Sequence, residues 1–189
     1  RDNERLIAML KTLRARGNTV VIVEHDGEMM RTADWIVDLG PGAGREGGRV
    51  MYQGPYAGLL KTGTLTADYL NGRKSIAAGG NRGKPDSKAI AGNRRQAKFL
   101  TISGCTGHNL KNITVRFPLG TFTVVTGVSG SGKSTLVEET LKCELMRRFY
   151  RAKAAPCKFR KLAGVEHIDK VIEIDQSPIG RTPRSNPAT

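Results

Sequence analysis

The chain has 189 residues, with 31 Lys or Arg against 17 Asp or Glu and a formal net charge of +14 at pH 7. That length suits one ordinary domain or two smaller pieces, and no apolar run is long enough for a membrane-spanning helix, so the charge points to an anionic partner, nucleic acid or an acidic protein surface. Cys105, Cys143 and Cys157 are odd in number and far apart, with no C-x-x-C pair, which argues against a disulfide framework and a complete zinc site and fits a reduced, cytosolic compartment.

The opening Arg1-Asp2-Asn3-Glu4 carries neither an initiator Met nor an apolar leader, so an excerpt of a longer protein is expected. From Glu4 to Arg16 the residues Leu6, Ile7, Met9, Leu10 and Leu13 form a helical stripe, ended by Gly17-Asn18. Thr19 to Val23 then reads as a buried strand, followed by Glu24-His25-Asp26, a short helix to about Ala33, and a second strand from Trp35 to Leu39. A Gly/Pro-rich turn from Gly40 to Gly48 precedes Arg49 to Gln53, which alternates like an edge strand.

Between Asn71 and Lys98 the composition changes. Arg73, Lys74, Arg82, Lys84, Lys88, Arg94, Arg95 and Lys98 lie among Gly, Ala, Ser and Asn with only Asp86 in opposition, which predicts a flexible basic linker, either a spacer or an arm that tracks DNA. Structure restarts with strands at Phe99 to Ser103 and Leu110 to Phe117, where Ile113, Val115 and Phe117 alternate with polar residues.

The most informative run follows. Gly127-Val128-Ser129-Gly130-Ser131-Gly132-Lys133-Ser134 fits G-x-x-x-x-G-K-[ST], and Thr135 continues it. Thr121 to Thr126 before it is β-branched and aromatic like a buried strand, and Leu136, Val137, Leu141, Leu145 and Phe149 after it recur at helical spacing. Strand, glycine loop and helix together make a phosphate cradle. Backbone N–H groups and the helix N-terminus face the phosphate oxygens, Lys133 reaches the β/γ-phosphates, and Ser134 ligates Mg²⁺. Met146 to Arg160 is basic, and Val171 to Asp175 reads as a strand running into Gln176.

A strand ending in His25, then helix, strand and hairpin through Gly54, is similar to the closing part of an ATP-binding-cassette nucleotide domain. Strands, a phosphate loop and a later Gln are similar to the opening of another. The strings TADWIVDLGPGAG, HNLKNI, GVSGSGKSTL and IDQSPIGRTPRSNPAT resemble more narrowly the UvrA family of bacterial excinuclease proteins, the damage-sensing ATPases of nucleotide excision repair. The resemblance implies an α/β fold, a P-loop NTPase of the ATP-binding-cassette type with two partial cassettes. Residues 1–70 would be the C-terminal part of the first, 71–98 the linker, and 99–189 the N-terminal part of the second.

On this resemblance His25 matches the switch histidine that contacts γ-phosphate, and Gln176 the Q-loop residue that senses γ-phosphate and Mg²⁺. His25 and Lys133 would then serve different cassettes and different nucleotides. The implied cofactors are ATP and Mg²⁺, with zinc only in segments absent here. The implied partners are double-stranded damaged DNA, the excinuclease component UvrB and a second copy of the intact protein, with no membrane. The signature motif and the acidic strand of each cassette are missing, which implies little turnover by this stretch alone. Adenine would stack on an aromatic residue upstream of the loop, where Ile102 stands and Phe99 is a loose candidate. Two rival readings are the ATPase of a membrane transporter and a basic DNA-binding module with an empty phosphate loop.

Overall fold

The structure, a computed structural model, describes residues 2–72 and 98–174. The linker interior and Gln176 lie outside the described residues. Helix α1 (Asp2–Ala15) ends as its sequence requires, with Gly17 in a left-handed turn at φ 84°. The Gly17 and Asn18 amides donate back to the Arg14 and Leu13 carbonyls, satisfying the last turn. Strand β1 (Val20–Val23) follows, and Asp26 caps α2 (Gly27–Thr32) by accepting from the Glu28 and Met29 amides at 2.9 and 3.0 Å. The first half closes with β2 (Trp35–Gly40), β3 (Arg49–Gly54), α3 (Tyr56–Leu59) and α4 (Leu65–Leu70).

The second half contributes β4 (Phe99–Cys105), β5 (Ile113–Pro118) and β6 (Phe122–Gly127). A helix then runs from the glycine loop: its segment Thr135–Lys142 is π-wound, and α5 (Cys143–Tyr150) completes it. Helical spacing of the apolar residues foretold the helix but not its wider winding, in which Thr140 Oγ1 donates to the Thr135 carbonyl five residues back at 2.5 Å. Strand β7 (Lys161–Ala163), which the sequence did not announce, pairs antiparallel with β4.

The strands form two sheets, one ordered β1-β6-β2-β3 and the other β5-β4-β7. In the first, β6 lies between β1 and β2 and is parallel to both, with Val23 opposite Val125 and Leu39 opposite Gly127. The two halves of the sequence therefore share one sheet. Strand β6 of the second half fills the place between β1 and β2 of the first. Strand β1 corrects the expectation of a buried strand: it stands at the sheet edge and all four of its residues are half-buried.

Strand alternation sends the residues of β6 and β2 to opposite faces. Phe122, Val124 and Ile36 meet Leu10, Met29, Met30 and Leu59 under the helices, while Val125, Val37 and Leu39 pack with Ile102, Val115, Phe117, Leu136 and Leu141 between the sheets and the loop helix. The result is layered around the phosphate-loop strand. Polar ties reinforce the helical layer: Arg14 Nη2 pairs with Asp34 Oδ1 at 2.6 Å, and Asp34 Oδ2 accepts from the Phe122 amide at 2.9 Å.

The predicted strand from Val171 to Asp175 is absent over its described residues. Val171 is instead held by Tyr150, whose hydroxyl donates to its carbonyl at 2.8 Å and accepts from its amide at 3.1 Å. Ile172 and Ile174 are 69% and 60% exposed, because no neighbouring strand among the described residues offers them an edge.

Candidate nucleotide site

The glycine loop leaves β6 at the carboxyl end of its parallel strands, where open α/β sheets bind ligands. Gly127, at φ 128°, passes so close to β2 that a Cβ would lie 2.0 Å from the Leu39 carbonyl oxygen, so only glycine lets the loop start there. Past it the loop curls around an open cleft of about 340 Å³ lined by Asn109, Ser129, Gly130, Gly132, Lys133, Ser134 and Thr135. Every one of these except Asn109 belongs to the motif.

The loop is braced from both halves. Gly44 donates its amide to the Gly130 carbonyl at 2.9 Å, and Gly48 donates to the Ser131 carbonyl at 3.0 Å. Asn109 Nδ2 donates to the carbonyls of Gly44 and Gly130, each at 3.0 Å, stapling the Gly/Pro-rich turn to the phosphate loop. Asn109 is thus a cleft residue that the motif missed, although it stands inside HNLKNI. Side-chain amides at that spacing from a glycine loop give no signal in sequence.

Lys133 Nζ donates to the carbonyls of Gly127 and Val128, both at 2.8 Å. Its ammonium is held by neutral carbonyl acceptors, which lack the full negative charge that a phosphate would bring to it. Burial holds its pKa below the usual lysine range, and nearby Asp38 opposes that shift. Asp38, only 2% exposed on β2, is pushed upward by burial, while hydrogen bonds from Thr66 and Thr64 and the charge of Lys133 pull it down. Thr66 Oγ1 donates to Asp38 Oδ1 at 2.8 Å. This buried carboxylate beside the loop lysine also escaped the sequence reading, where it was one polar position in a strand.

The residues fit a bound nucleotide with Mg²⁺. Gly130 and Gly132, at φ 74° and 104°, turn the loop around the cleft, Lys133 lines it, and Ser134 is exposed at the helix start where a cation can reach it. Val128, Ser129 and Thr135 hold their motif positions around the cleft, with Thr135 8% exposed. A cleft of this volume lies in the range of small-molecule sites.

His25 is exposed just past β1, where the Glu24 amide donates to the Val125 carbonyl at 3.1 Å. It therefore sits at the same sheet edge as Gly127, on the neighbouring strand, whereas the resemblance assigned it and Lys133 to separate nucleotides. Phe99 is not free to stack on adenine: it meets Trp35 edge-on at 6.0 Å, and the Arg116 guanidinium lies 4.0 Å from its ring centre. Ile102 is fully buried. Among the described residues no aromatic side chain lines the cleft.

Among the described residues no helix is long and apolar enough to cross a membrane. A glycine loop between a parallel strand and a helix defines the class: a mixed α/β protein with a P-loop-type turn. Over its whole length the chain is 56% identical to UvrABC system protein A of Thermus thermophilus and 50% identical to that of Bacillus subtilis, and so belongs to the UvrA family. It spans 19% of the length of each of these relatives. No family model matches it. Among solved structures, UvrA2 from Deinococcus radiodurans shares 40% identity over 98% of this chain and 21% of its own, with a TM-score of 0.39, a likeness carried by sequence.

Proposed function

We propose that this chain is the ATP-binding portion of a DNA-damage-recognition ATPase of nucleotide excision repair, in which ATP binding and hydrolysis switch the engagement of DNA. The observation that carries this reading is the phosphate cradle, with Lys133 in its lining, inside a match to UvrA over the whole of this chain. Residues 1–70 close a first cassette of the ATP-binding-cassette type and 99–189 open a second, with 71–98 as the basic connection. Lys133 leaves its two carbonyls to pair with the phosphates, the loop amides hold their oxygens, and Ser134 and Gln176 hold Mg²⁺. Gln176 senses the terminal phosphate of this nucleotide, and His25 that of the first cassette's nucleotide. Mg-ATP supplies the phosphoanhydride whose cleavage reverses the switch, and catalysis by such sites is mainly positioning and charge neutralisation.

The basic surface engages double-stranded damaged DNA through phosphates, so affinity falls steeply with salt. The excinuclease component UvrB and a second copy of the intact protein are the protein partners. Family membership weighs against the transporter reading.

The test is calorimetric titration with Mg-ATP. Saturable binding is expected, and Lys133→Ala weakens it by roughly tenfold to a hundredfold, the worth of hydrogen bonds to a charged group. Hydrolysis is expected only in a longer chain that includes the signature and the acidic strand. Equal binding by Lys133→Ala and the parent would sink the proposal.

A further inference from the structure

Outside the cleft, three segments bring together donors that sequence spacing keeps apart. His108 Nε2 lies 2.7 Å from Glu139 Oε2, Cys157 Sγ lies 3.6 Å from the same oxygen, and the three donor atoms all fall within 4.8 Å of one another. We propose that His108, Glu139 and Cys157 form a binding site for a zinc-like divalent cation, with a fourth position open to water.

The donor set selects the ion. Imidazole nitrogen, thiolate sulfur and carboxylate oxygen are the ligands zinc takes, at about 2.0–2.3 Å, and a tetrahedral arrangement at those lengths separates donors by roughly 3.3–3.8 Å. The Cys157–Glu139 separation already matches, the His108–Glu139 pair opens by about half an ångström as the cation replaces their hydrogen bond, and the remaining pair, within 4.8 Å, closes by at most about one. A thiolate ligand disfavours Mg²⁺ and Ca²⁺, which demand oxygen.

The backbone holds these segments in place without a metal. The Cys157 amide donates to the Glu139 carbonyl at 3.0 Å, and the Thr106 amide donates to the Lys158 carbonyl at 2.9 Å, so the stretch carrying Cys157 is tied both to the π-wound segment and to the loop carrying His108. Gly107 lies against Cys157 so closely that a Cβ there would stand 2.5 Å from the Cys157 Cβ. His108 itself has φ 46°, a conformation uncommon for a residue with a side chain, and such strain gathers where function fixes the backbone. Glu139 lies in a π-wound stretch, another feature that gathers at functional sites. The side chains of His108 and Glu139 are 64% and 47% exposed, which leaves the cation a path from solvent.

Asn109 follows His108 directly and staples the phosphate loop. A cation on His108 therefore also fixes one wall of the nucleotide cleft. The site differs from any C-x-x-C arrangement, since its single thiol is joined by an imidazole and a carboxylate from distant positions.

The experiment is titration of the reduced, metal-free chain with Co²⁺, followed by displacement with Zn²⁺. One equivalent should produce sulfur-to-cobalt charge-transfer absorption in the near ultraviolet and the visible bands of tetrahedral cobalt. Cys157→Ser should abolish the charge-transfer band, and His108→Ala and Glu139→Gln should each weaken binding by more than about tenfold, the least that loss of even an outer-shell partner brings. Cys143→Ser and Cys105→Ser should keep the band. A raised melting temperature with Zn²⁺ in the parent, absent in a Cys157→Ser variant of unchanged circular dichroism, gives a second readout that does not depend on cobalt. No saturable thiolate band in the parent, or a band that survives Cys157→Ser, overturns the proposal.

Discussion

The nucleotide cleft and the His108–Glu139–Cys157 cluster share one helix, which gives Thr135 to the first and Glu139 to the second, but are made by opposite means. The cleft is a backbone site: carbonyls and amides of a contiguous loop shape it, and glycine at Gly127 permits its close approach to Leu39. The cluster is a side-chain site, assembled from three segments whose main chains are stitched by two amide hydrogen bonds. A backbone site writes itself into sequence as spacing. A side-chain site assembled across segments leaves only scattered residue types.

The largest effect should come from breaking what both sites share. Gly127→Ala forces a Cβ into the Leu39 carbonyl and a left-handed strain besides, and is expected to cost roughly 2–4 kcal/mol, read as a lower urea midpoint. Both nucleotide and cobalt binding should fall together, since the loop start and the helix that carries Glu139 move as one.

A cleaner separation comes from Lys133→Ala, which should lose nucleotide affinity by roughly tenfold or more while the cobalt spectrum stays unchanged. If the cobalt affinity drops equally, the two regions are one site and the comparison fails.

Asn109→Ala probes the joint between them. It removes two exposed hydrogen bonds of 3.0 Å and should cost about 1 kcal/mol in stability with a several-fold loss of nucleotide affinity, measured by denaturation and calorimetry.

The smallest effect is a pH slope. Burial raises Asp38 above its ordinary value of 3.8, so the folded state holds its proton more tightly than the unfolded chain does. Stability is therefore lost as pH rises from 3.8 toward the folded value. Asp38→Asn should show no such loss, and its advantage over the parent in denaturation midpoint should grow across that window and then level off.

Much of the fold was legible for physical reasons tied to particular residues. The stripe from Leu6 to Leu13, the alternation at Ile113, Val115 and Phe117, and the glycine spacing from Gly127 to Gly132 are local signals that local structure obeys. What failed depended on partners far along the chain. Val20 to Val23 is apolar enough for a buried strand, but burial depends on having a neighbour on each side, and among the described residues β1 has only β6. Val171 to Ile174 has the composition of a strand and no edge to join among the described residues. Phe99 suits stacking on a base, yet Trp35 and Arg116 occupy its ring. Asp38, Asn109 and the cluster residues are single polar positions whose meaning appears only when segments meet.

The place of β6 between β1 and β2 also sets an order of events at synthesis. About a hundred residues separate Val20 from its partner Phe122, so at roughly 5–20 residues per second the first two parallel strands wait some 5–20 s on the ribosome before the strand between them emerges. During that interval both strands carry open edges that invite pairing with another nascent chain. The same gap makes the protein divisible: a piece ending before the linker and a piece beginning after it meet as slot and strand, and only their reunion restores the phosphate cradle.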